Sequence, residues 1–379
     1  MAVRIAVPKE VNAGERRVAL VPEVVARLTK AGAEVVVEQG AGAGAWYPDD
    51  SYTAVGATIE ADRARLFGGA AIVLKIHPPT LEEIRAIRPP TIVVALMNAS
   101  RNLDRVAAMR DAGLTAFALE LVPRITRAQS MDVLSSQATV GGYRSALIGA
   151  ELCPKFFPML TTAAGTIRPA KVLILGAGVA GLMAIATSKR LGAIVEAYDV
   201  RRAAGEQVRS LGAKFLELEI NAEGSGGYAR ELTDAEKQQE QEMLAKAVAD
   251  ADVVITTANV PGRKAPLLVR RAMVERMRPG ASVVDLAAES GGNCELTRPG
   301  EQIAVQGVTI VGPLNLPSQL PYHASQMFAK NLQAFLGLLI DPSGALVTAY
   351  SDEILAASLL VHGGAVVHRP TAELLQGVK

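Results

Sequence analysis

Lys171-Val172-Leu173-Ile174-Leu175-Gly176-Ala177-Gly178-Val179-Ala180-Gly181 is the stretch whose reading decides the fold. A short apolar run stops at a glycine and passes directly into a helical pattern, with Gly176, Gly178 and Gly181 in G-x-G-x-x-G register. Each glycine has its own physical task. The first permits a tight turn, the second lets a pyrophosphate approach backbone N–H groups, and the third packs helix against strand. A phosphate held there meets the positive end of the helix dipole. Alone, the pattern also fits a turn that binds nothing, so the acidic residue expected roughly 20 residues further on carries the decision. Asp199 stands there, ending the apolar run Ala193-Ile194-Val195-Glu196-Ala197-Tyr198. Strand, glycines, helix, strand and acid in that order predict dinucleotide binding. Asp199 fits a plain strand-end cap too. As a ribose ligand it favours NAD over NADP, whereas the nearby Arg201 and Arg202 pull the other way, because arginine there can accept a 2′-phosphate.

Before this stretch the chain alternates apolar runs with helical patterns. Arg4–Val7, Glu34–Glu38, Ala71–Ile76, Thr91–Leu96 and Leu114–Leu119 read as strands, with helices opening at Pro22 and spanning Leu103–Ala112. Such alternation predicts parallel strands joined by helical crossovers. The polar segment Pro123–Leu134, crowded with Arg124, Arg127, Gln129, Ser130 and Asp132, departs from it and leads into a helix from Ser136 to Leu152. On its residues alone this segment fits a solvated connection with internal salt bridges. Thr161–Thr166, small and polar, reads as a boundary before the domain that Lys171 opens. Strands are expected at Ile194–Tyr198, Lys214–Leu218, Asp252–Thr256, Ser282–Leu286 and Val308–Val311, with helices at Val179–Leu191, Ala204–Leu211, Ala235–Ala249 and Leu267–Met277. One glycine-rich insertion, Asn221 to Tyr228, reads as a mobile surface loop. After an amphipathic helix over His323–Leu339 no strand is evident, and the tail is expected to pack back on the first domain. The expected fold is therefore α/β, with two doubly wound, parallel-sheet, Rossmann-like domains and a cleft between them. Residues 1–135 and 322–379 form a discontinuous N-terminal domain, and 136–321 the NAD(H)-binding Rossmann domain.

Composition sets outer bounds. Of 379 residues half are hydrophobic, enough for large cores in two or three domains, and the net charge of +1 gives no basic face for nucleic acid. Cys153 and Cys294, outside any C-x-x-C, suggest a reducing compartment and buried positions. Met1-Ala2-Val3-Arg4-Ile5 lacks the apolar core of a signal peptide, and no stretch reaches the roughly 20 apolar residues of a membrane span. A cytoplasmic location follows as an expectation. His77, His323, His362 and His368 lack the spacing of metal ligands, and no metal is expected. Met243, Met273, Met277 and Met327 stand at helical spacing and read as core.

Several stretches resemble the alanine dehydrogenase and transhydrogenase superfamily: Lys9-Glu10, Glu15-Arg16-Arg17-Val18-Ala19-Leu20-Val21-Pro22, Val73-Leu74-Lys75, the Gly176 fingerprint, Thr256-Thr257-Ala258, and Pro261-Gly262-Arg263-Lys264-Ala265-Pro266. Within it, Glu120-Leu121-Val122-Pro123-Arg124-Ile125-Thr126-Arg127-Ala128-Gln129-Ser130-Met131-Asp132-Val133-Leu134-Ser135-Ser136 resembles the arginine–glutamine–aspartate loop of the soluble NAD(H)-binding α component, domain I, of proton-translocating NAD(P) transhydrogenase. The resemblance implies that Arg124, Gln129, Asp132 and Ser135 contact the nicotinamide end of NAD(H), and that Tyr228 closes over the nucleotide within a mobile loop. It further implies nucleotide contacts from Gly176, Ala177, Gly178, Val179, Ala180 and Gly181, from Asp199, Val200 and Arg201, and from Thr257 and Ala258.

The dehydrogenase branch pairs a substrate-binding arginine and lysine, matched here by Arg17 and Lys75, with a histidine at the strand end that here reads Leu96-Met97-Asn98-Ala99 and with an aspartate where Glu289 stands before Gly291-Gly292. No histidine is present there. Oxidising an amino acid needs a positioned proton acceptor; hydride transfer between two nicotinamides releases no such proton. The resemblance thus implies a Re/Si-specific, proton-translocating NAD(P)+ transhydrogenase α subunit. It also implies a homodimer, with NADP(H) on a partner β subunit, membrane-spanning partner subunits, and a peripheral place at the cytoplasmic face of the inner membrane. A stand-alone amino-acid dehydrogenase is the alternative.

Overall fold

The computed structural model describes residues 2–217, 233–259 and 264–377. It divides into two compact units, Met1–Gln137 with Pro317–Lys379, and Ala138–Leu316. In the first unit, strands β1 (Arg4–Val7), β2 (Glu34–Glu38), β3 (Thr58–Glu60), β4 (Ile72–Leu74), β5 (Ile92–Ala95) and β6 (Thr115–Ala118) pair in parallel in the order β6-β5-β4-β1-β2-β3. The order reverses between β1 and β4, so the sheet is doubly wound. Its inner strands are largely apolar because both faces are covered. Ile5, Val7, Val35, Val37, Leu74, Val94 and Phe117 feed one core, and Ala6, Val36, Val73, Val93, Ala95 and Ala116 the other. Strand β3 was not expected, since Thr58-Ile59-Glu60 contains no apolar run.

Helix Val133–Leu152 carries the chain from the first unit into the second, which divide after Gln137. The stretch read as a polar boundary is in fact an antiparallel hairpin, β7 (Leu160–Thr162) with β8 (Gly165–Ile167), turning on Gly165 at φ 106°. The second sheet contains β9 (Lys171–Leu175), β10 (Ile194–Tyr198), β11 (Lys214–Phe215), β12 (Val253–Thr256), β13 (Ser282–Asp285), β14 (Gln302–Val305) and β15 (Val308–Val311). They run in the order β11-β10-β9-β12-β13-β15-β14, parallel except for β14 against β15. Reversal between β9 and β12 puts the glycine stretch at the topological switch point, where ligands of open α/β sheets bind. The helix expected over Leu267–Met277 shrinks to Arg271–Val274. The N–H groups of Leu268 and Val269 donate to the Asn293 carbonyl instead, each at 2.9 Å, so they are committed before a helix can start.

Returning to the first unit, helix Pro321–Leu339 buries Phe328, Leu332, Phe335, Leu336 and Leu339 in its core. Two strands follow where none was expected. β16 (Leu359–His362) joins β6 antiparallel, and β17 (Ala365–Val366) folds back on it. The hairpin turns on Gly363 and Gly364, at φ 57° and 72°, the geometry of a two-residue hairpin loop. Helix Glu353–Ser358 abuts β16 with no turn residue between them, which hid the change of period in one apolar run. Among the described residues, no helix is long and apolar enough to cross a membrane.

Charge, rather than regular structure, holds the segment between β1 and helix Pro22–Lys30. The Glu15 carboxylate, with no exposed side-chain surface, accepts from Arg17 Nε at 2.9 Å and Nη2 at 2.7 Å and lies 2.6 Å from His77 Nε2. Arg17 Nη1 donates to Gln137 Oε1 at 2.8 Å. Lys75, 1% exposed, places Nζ 3.1 Å from Glu83 Oε1 and 3.4 Å from Glu10 Oε2. The arginine and lysine matched to a substrate-binding pair are thus buried against carboxylates of the protein itself. Burial works to raise the Glu15 pKa, but hydrogen bonds from Arg17 and His77 and the Arg17 charge outweigh it and leave the carboxyl well below the ordinary glutamate range. A depressed pKa contributes stability that is complete above the unfolded value, about 4.3, and is lost as pH falls beneath it. Glu15→Gln is therefore expected to destabilise the first unit by about 3 kcal/mol at neutral pH in urea unfolding, because Arg17 loses its buried partner. The gap between wild type and variant should narrow as pH falls below about 4.3; a gap independent of pH contradicts the assignment.

Candidate functional site

The carboxyl edge of the second sheet brings the sequence-predicted nucleotide residues together. Gly176 follows β9 at φ 101°, and a Cβ on it would stand 2.7 Å from Thr257 Oγ1 and 2.9 Å from the Ala258 nitrogen. At Gly181 a Cβ would fall 1.8 Å from the Gly176 carbonyl oxygen, so no side chain fits between helix and strand. Gly178 is different. It caps helix Val179–Arg190, it is exposed, and its own Cβ would meet nothing within 4 Å. Two glycines are required by contact with the protein, and the third leaves space in front of the first helical turn. That space suits a pyrophosphate at the helix N-terminus. Ala177 is buried within the turn, while Val179 is exposed and Ala180 half-buried in the first helical turn.

Asp199 follows β10, with its side chain 7% exposed. Its Oδ2 accepts the Ala177 N–H at 2.8 Å, which ties the acid directly to the glycine turn. Oδ1 accepts the Arg201 N–H at 2.8 Å, and the Arg201 guanidinium closes on both oxygens through Nε at 2.9 Å and Nη2 at 2.8 Å. Arg201 is therefore neutralised by the acid that it was expected to oppose. Val200 between them packs against the apolar core. Tyr198, the last residue of β10, donates its hydroxyl to Glu240 Oε1 at 2.8 Å in the interior. Burial first, then the Glu240 charge and hydrogen bond, push the Tyr198 pKa up; burial likewise raises that of Glu240, opposed by the Tyr198 hydrogen bond. This buried hydrogen-bonded pair moors β10 to helix Asp234–Asp250 beside Asp199.

On the other side of the switch point, Thr257 donates its hydroxyl to the Gly176 carbonyl at 2.9 Å and its N–H to the Leu175 carbonyl at 2.8 Å. Ala258, half-buried, offers its carbonyl to Asn293 Nδ2 at 2.8 Å. Sequence reasoning missed Asn293 and Asp285; the only signal was the Gly291-Gly292 pair preceding the asparagine. Asp285 ends β13 fully buried and accepts from Thr256 Oγ1, Thr297 Oγ1 and the N–H groups of Ala287, Asn293 and Cys294 at 2.6 to 3.0 Å. Its role is to shape the loop after the strand. Glu289, standing where the dehydrogenase branch carries its aspartate, accepts the Asn315 N–H at 2.7 Å.

The first unit carries the second set of expected site residues on one segment. Thr126–Met131 is a 3₁₀ turn, fastened by a two-pronged pair from Arg127 to Asp352 at 2.8 and 3.1 Å and by Asn331 Nδ2 donating to the Ser130 carbonyl at 2.7 Å. Gln129 on this turn and Arg124 just before it are exposed. Asp132 accepts the Ser135 N–H at 2.9 Å and hydroxyl at 2.6 Å, capping the helix that begins at Val133. At the strand end where a histidine would serve amino-acid oxidation, Asn98 adopts a left-handed conformation at φ 45°, and Glu120 Oε2 accepts the Met97 N–H at 2.9 Å. Tyr228 and the insertion around it lie outside the described residues, as do Pro261, Gly262 and Arg263. Both cysteines are buried, and burial pushes the Cys294 thiol up to about 11. No cluster of metal-ligating side chains occurs among the described residues.

Comparison with known proteins places this arrangement. Residues 6–141 match the family described as alanine dehydrogenase/PNT, N-terminal domain, and residues 145–369 match alanine dehydrogenase/PNT, C-terminal domain. An NAD(P) transhydrogenase subunit alpha polypeptide of Rhodospirillum rubrum is 45% identical over 97% of this chain and 98% of its own length. A solved transhydrogenase structure from Sinorhizobium meliloti superposes with a TM-score of 0.88 at 45% identity, covering 96% of this chain and 100% of that one. Alanine dehydrogenase of Mycobacterium tuberculosis is more distant, 29% identical over 98% of this chain and 96% of its own. Matched along both of its halves, the chain belongs to the alanine dehydrogenase/PNT family.

Proposed function

We propose that the chain is the NAD(H)-binding α component of an NAD(P) transhydrogenase, passing hydride between NAD(H) held here and NADP(H) held on a partner subunit. The observation that carries this reading is that no histidine stands at the strand end where the amino-acid branch of the family places one. Asn98 occupies the strand end in a left-handed turn. Glu289 stands in place of the aspartate and accepts the Asn315 N–H through one carboxylate oxygen. The buried Arg17 and Lys75 face Glu15, and Glu10 with Glu83. The identity of 45% to a transhydrogenase subunit, against 29% to an alanine dehydrogenase, supports the same choice.

The residues present fit the dinucleotide. The open space at Gly178 and the N–H groups of the first turn would take the pyrophosphate, and Asp199 would accept a ribose hydroxyl. The nicotinamide ring supplies the hydride, and the protein supplies binding and orientation. Arg124, Gln129, Asp132 and Ser135 are the residues we assign to the nicotinamide end. Gln129 offers both a donor and an acceptor for a carboxamide, and Asp132, fixed by Ser135, offers a carboxylate to its NH₂ group. Arg124 suits a pyrophosphate or carboxamide oxygen. Fixing the carboxamide fixes which ring face is presented, and transfer needs the donor and acceptor carbons within about 3–3.5 Å. The corresponding physiological setting is a homodimer associated with membrane-spanning, proton-translocating partner subunits at the cytoplasmic face, with Tyr228 as the residue that closes over the nucleotide.

Mixed with an NADP(H)-binding partner loaded with NADPH, the chain is expected to support reduction of acetylpyridine-NAD⁺ and to show no NAD⁺ reduction with L-alanine. Tight NADH binding without transfer, or turnover of L-alanine lost in Lys75→Ala, contradicts the reading. Asp132→Asn should lower the transfer rate by about tenfold with a smaller change in NADH affinity, since orientation rather than binding is impaired. Asp199→Ala is expected to weaken NADH binding about tenfold and to strengthen NADPH binding, because the Arg201 guanidinium loses its carboxylate partner. Calorimetric titration with both nucleotides measures this; an unchanged ratio of affinities contradicts the ribose assignment.

A further inference from the structure

Asn293 has no place in the sequence fingerprint, yet its surroundings single it out. Its side chain is wholly buried, and the single Nδ2 group donates to the Ala258 carbonyl at 2.8 Å and the Pro266 carbonyl at 2.7 Å. One amide group thus ties together the two ends of the segment that leaves β12 and returns towards Leu267. The backbone of Asn293 is held as firmly. Its N–H donates to Asp285 Oδ2 at 2.8 Å, and its carbonyl accepts from Leu268 and Val269. Gly291 and Gly292 make the turn that aims it, at φ 99° and 76°. A Cβ on Gly292 would lie 2.9 Å from Asp285 Oδ2, and one on Gly291 would lie 3.1 Å from Lys264 Cγ.

The remaining atom of the amide is informative. Among the described residues, Asn293 Oδ1 is buried without a hydrogen-bond partner. Turning the amide over would aim that oxygen at two carbonyls, so its orientation is dictated by the donors. An unmet acceptor in a dry interior is destabilising, and local rules of this kind are broken mainly where a site needs a particular geometry. The geometry in question is next to the glycine turn. Ala258 and Thr257 form the surface on which Gly176 sits, with the Ala258 nitrogen 2.9 Å and Thr257 Oγ1 2.7 Å from where a Gly176 Cβ would be.

We propose that Asn293 is a positioning residue for the dinucleotide site, clamping Ala258 and Pro266 so that the Thr257–Ala258 wall is pressed against the Gly176 turn. It acts through these backbone groups and not by touching the nucleotide. The proposal rests on the reading that the Gly176 turn binds NAD(H). Asn293→Asp keeps the shape and replaces the two-carbonyl donor with a carboxylate facing two carbonyl oxygens. The variant should bind NADH about tenfold more weakly near pH 8, the loss of the amide's hydrogen bonds to the wall. A buried carboxyl has a raised pKa and, once protonated, regains one donor. The ratio of variant to wild-type dissociation constants should therefore fall towards unity as the pH is lowered to about 6. General loosening of the fold has no reason to be repaired by acid.

Fluorescence titration of the full chain with NADH at both pH values, with melting curves alongside, makes the measurement. A folded Asn293→Asp protein with wild-type affinity near pH 8, or with a deficit unchanged at the lower pH, overturns the proposal. Should that variant not fold, Asn293→Ser, which can reach at most one of the two carbonyls, should still weaken NADH binding by about threefold; wild-type affinity in a folded serine variant overturns it equally. Absence of NADH binding by the wild type would instead overturn the dinucleotide reading itself, and the clamp with it.

Discussion

The second unit depends on one close approach: helix Val179–Arg190 comes so near the end of β9 that a methyl group on Gly181 would fall 1.8 Å from the Gly176 carbonyl oxygen. That approach aims the helix N-terminus at the carboxyl edge of the sheet, where its first N–H groups form an anion site. The neighbouring loops are built to keep it so. Asp199 grips the turn from β10 through the Ala177 N–H, and Thr257 grips it from β12 through the Gly176 carbonyl. Asp285 and Asn293, one strand further along, hold the β12 loop in place. The glycine pattern is therefore the visible portion of a larger scaffold of backbone hydrogen bonds.

That scaffold was only partly legible in the sequence. Strands buried on both faces announce themselves as apolar runs, which is why β1, β2, β10 and β15 run over the residues expected of them. Short edge strands do not. Thr58–Glu60 and Gln302–Val305 pair at the margins of their sheets, where polar residues are tolerated and any apolar run is short. The hairpins at Leu160–Ile167 and Leu359–Val366 were lost for a related reason: their turns use glycines that, in sequence, look like breaks. At the candidate site, Gly176, Gly178, Gly181 and Asp199 could be read because their spacing encodes a geometry. Asn293 could not, since a buried asparagine is defined by the carbonyls it meets, and these come from residues 258 and 266.

The charges needed correction as well. Arg201, read as a rival to Asp199, is its ion-pair partner. Arg17 and Lys75 are buried against Glu15 and against Glu10 with Glu83. A charge surrounded by its own counter-ions is a structural element, and recruiting it for a substrate would strand the partner carboxylate in a dry interior. Arg124 and Gln129 lie at the surface of the first unit, and the turn Thr126–Met131 is pinned by Asp352 and Asn331. With the arginine and lysine committed to carboxylates of the fold and Asn98 at the strand end in place of a histidine, the arrangement favours orientation of a nicotinamide over proton abstraction from an amino acid.

A crystal structure of the chain with NADH tests the central claim most directly. The account predicts the pyrophosphate over Gly178, within hydrogen-bond reach of the first-turn N–H groups of helix Val179–Arg190, and an adenosine ribose hydroxyl on Asp199. A pyrophosphate bound away from this turn, or a ribose that does not engage Asp199, would contradict it.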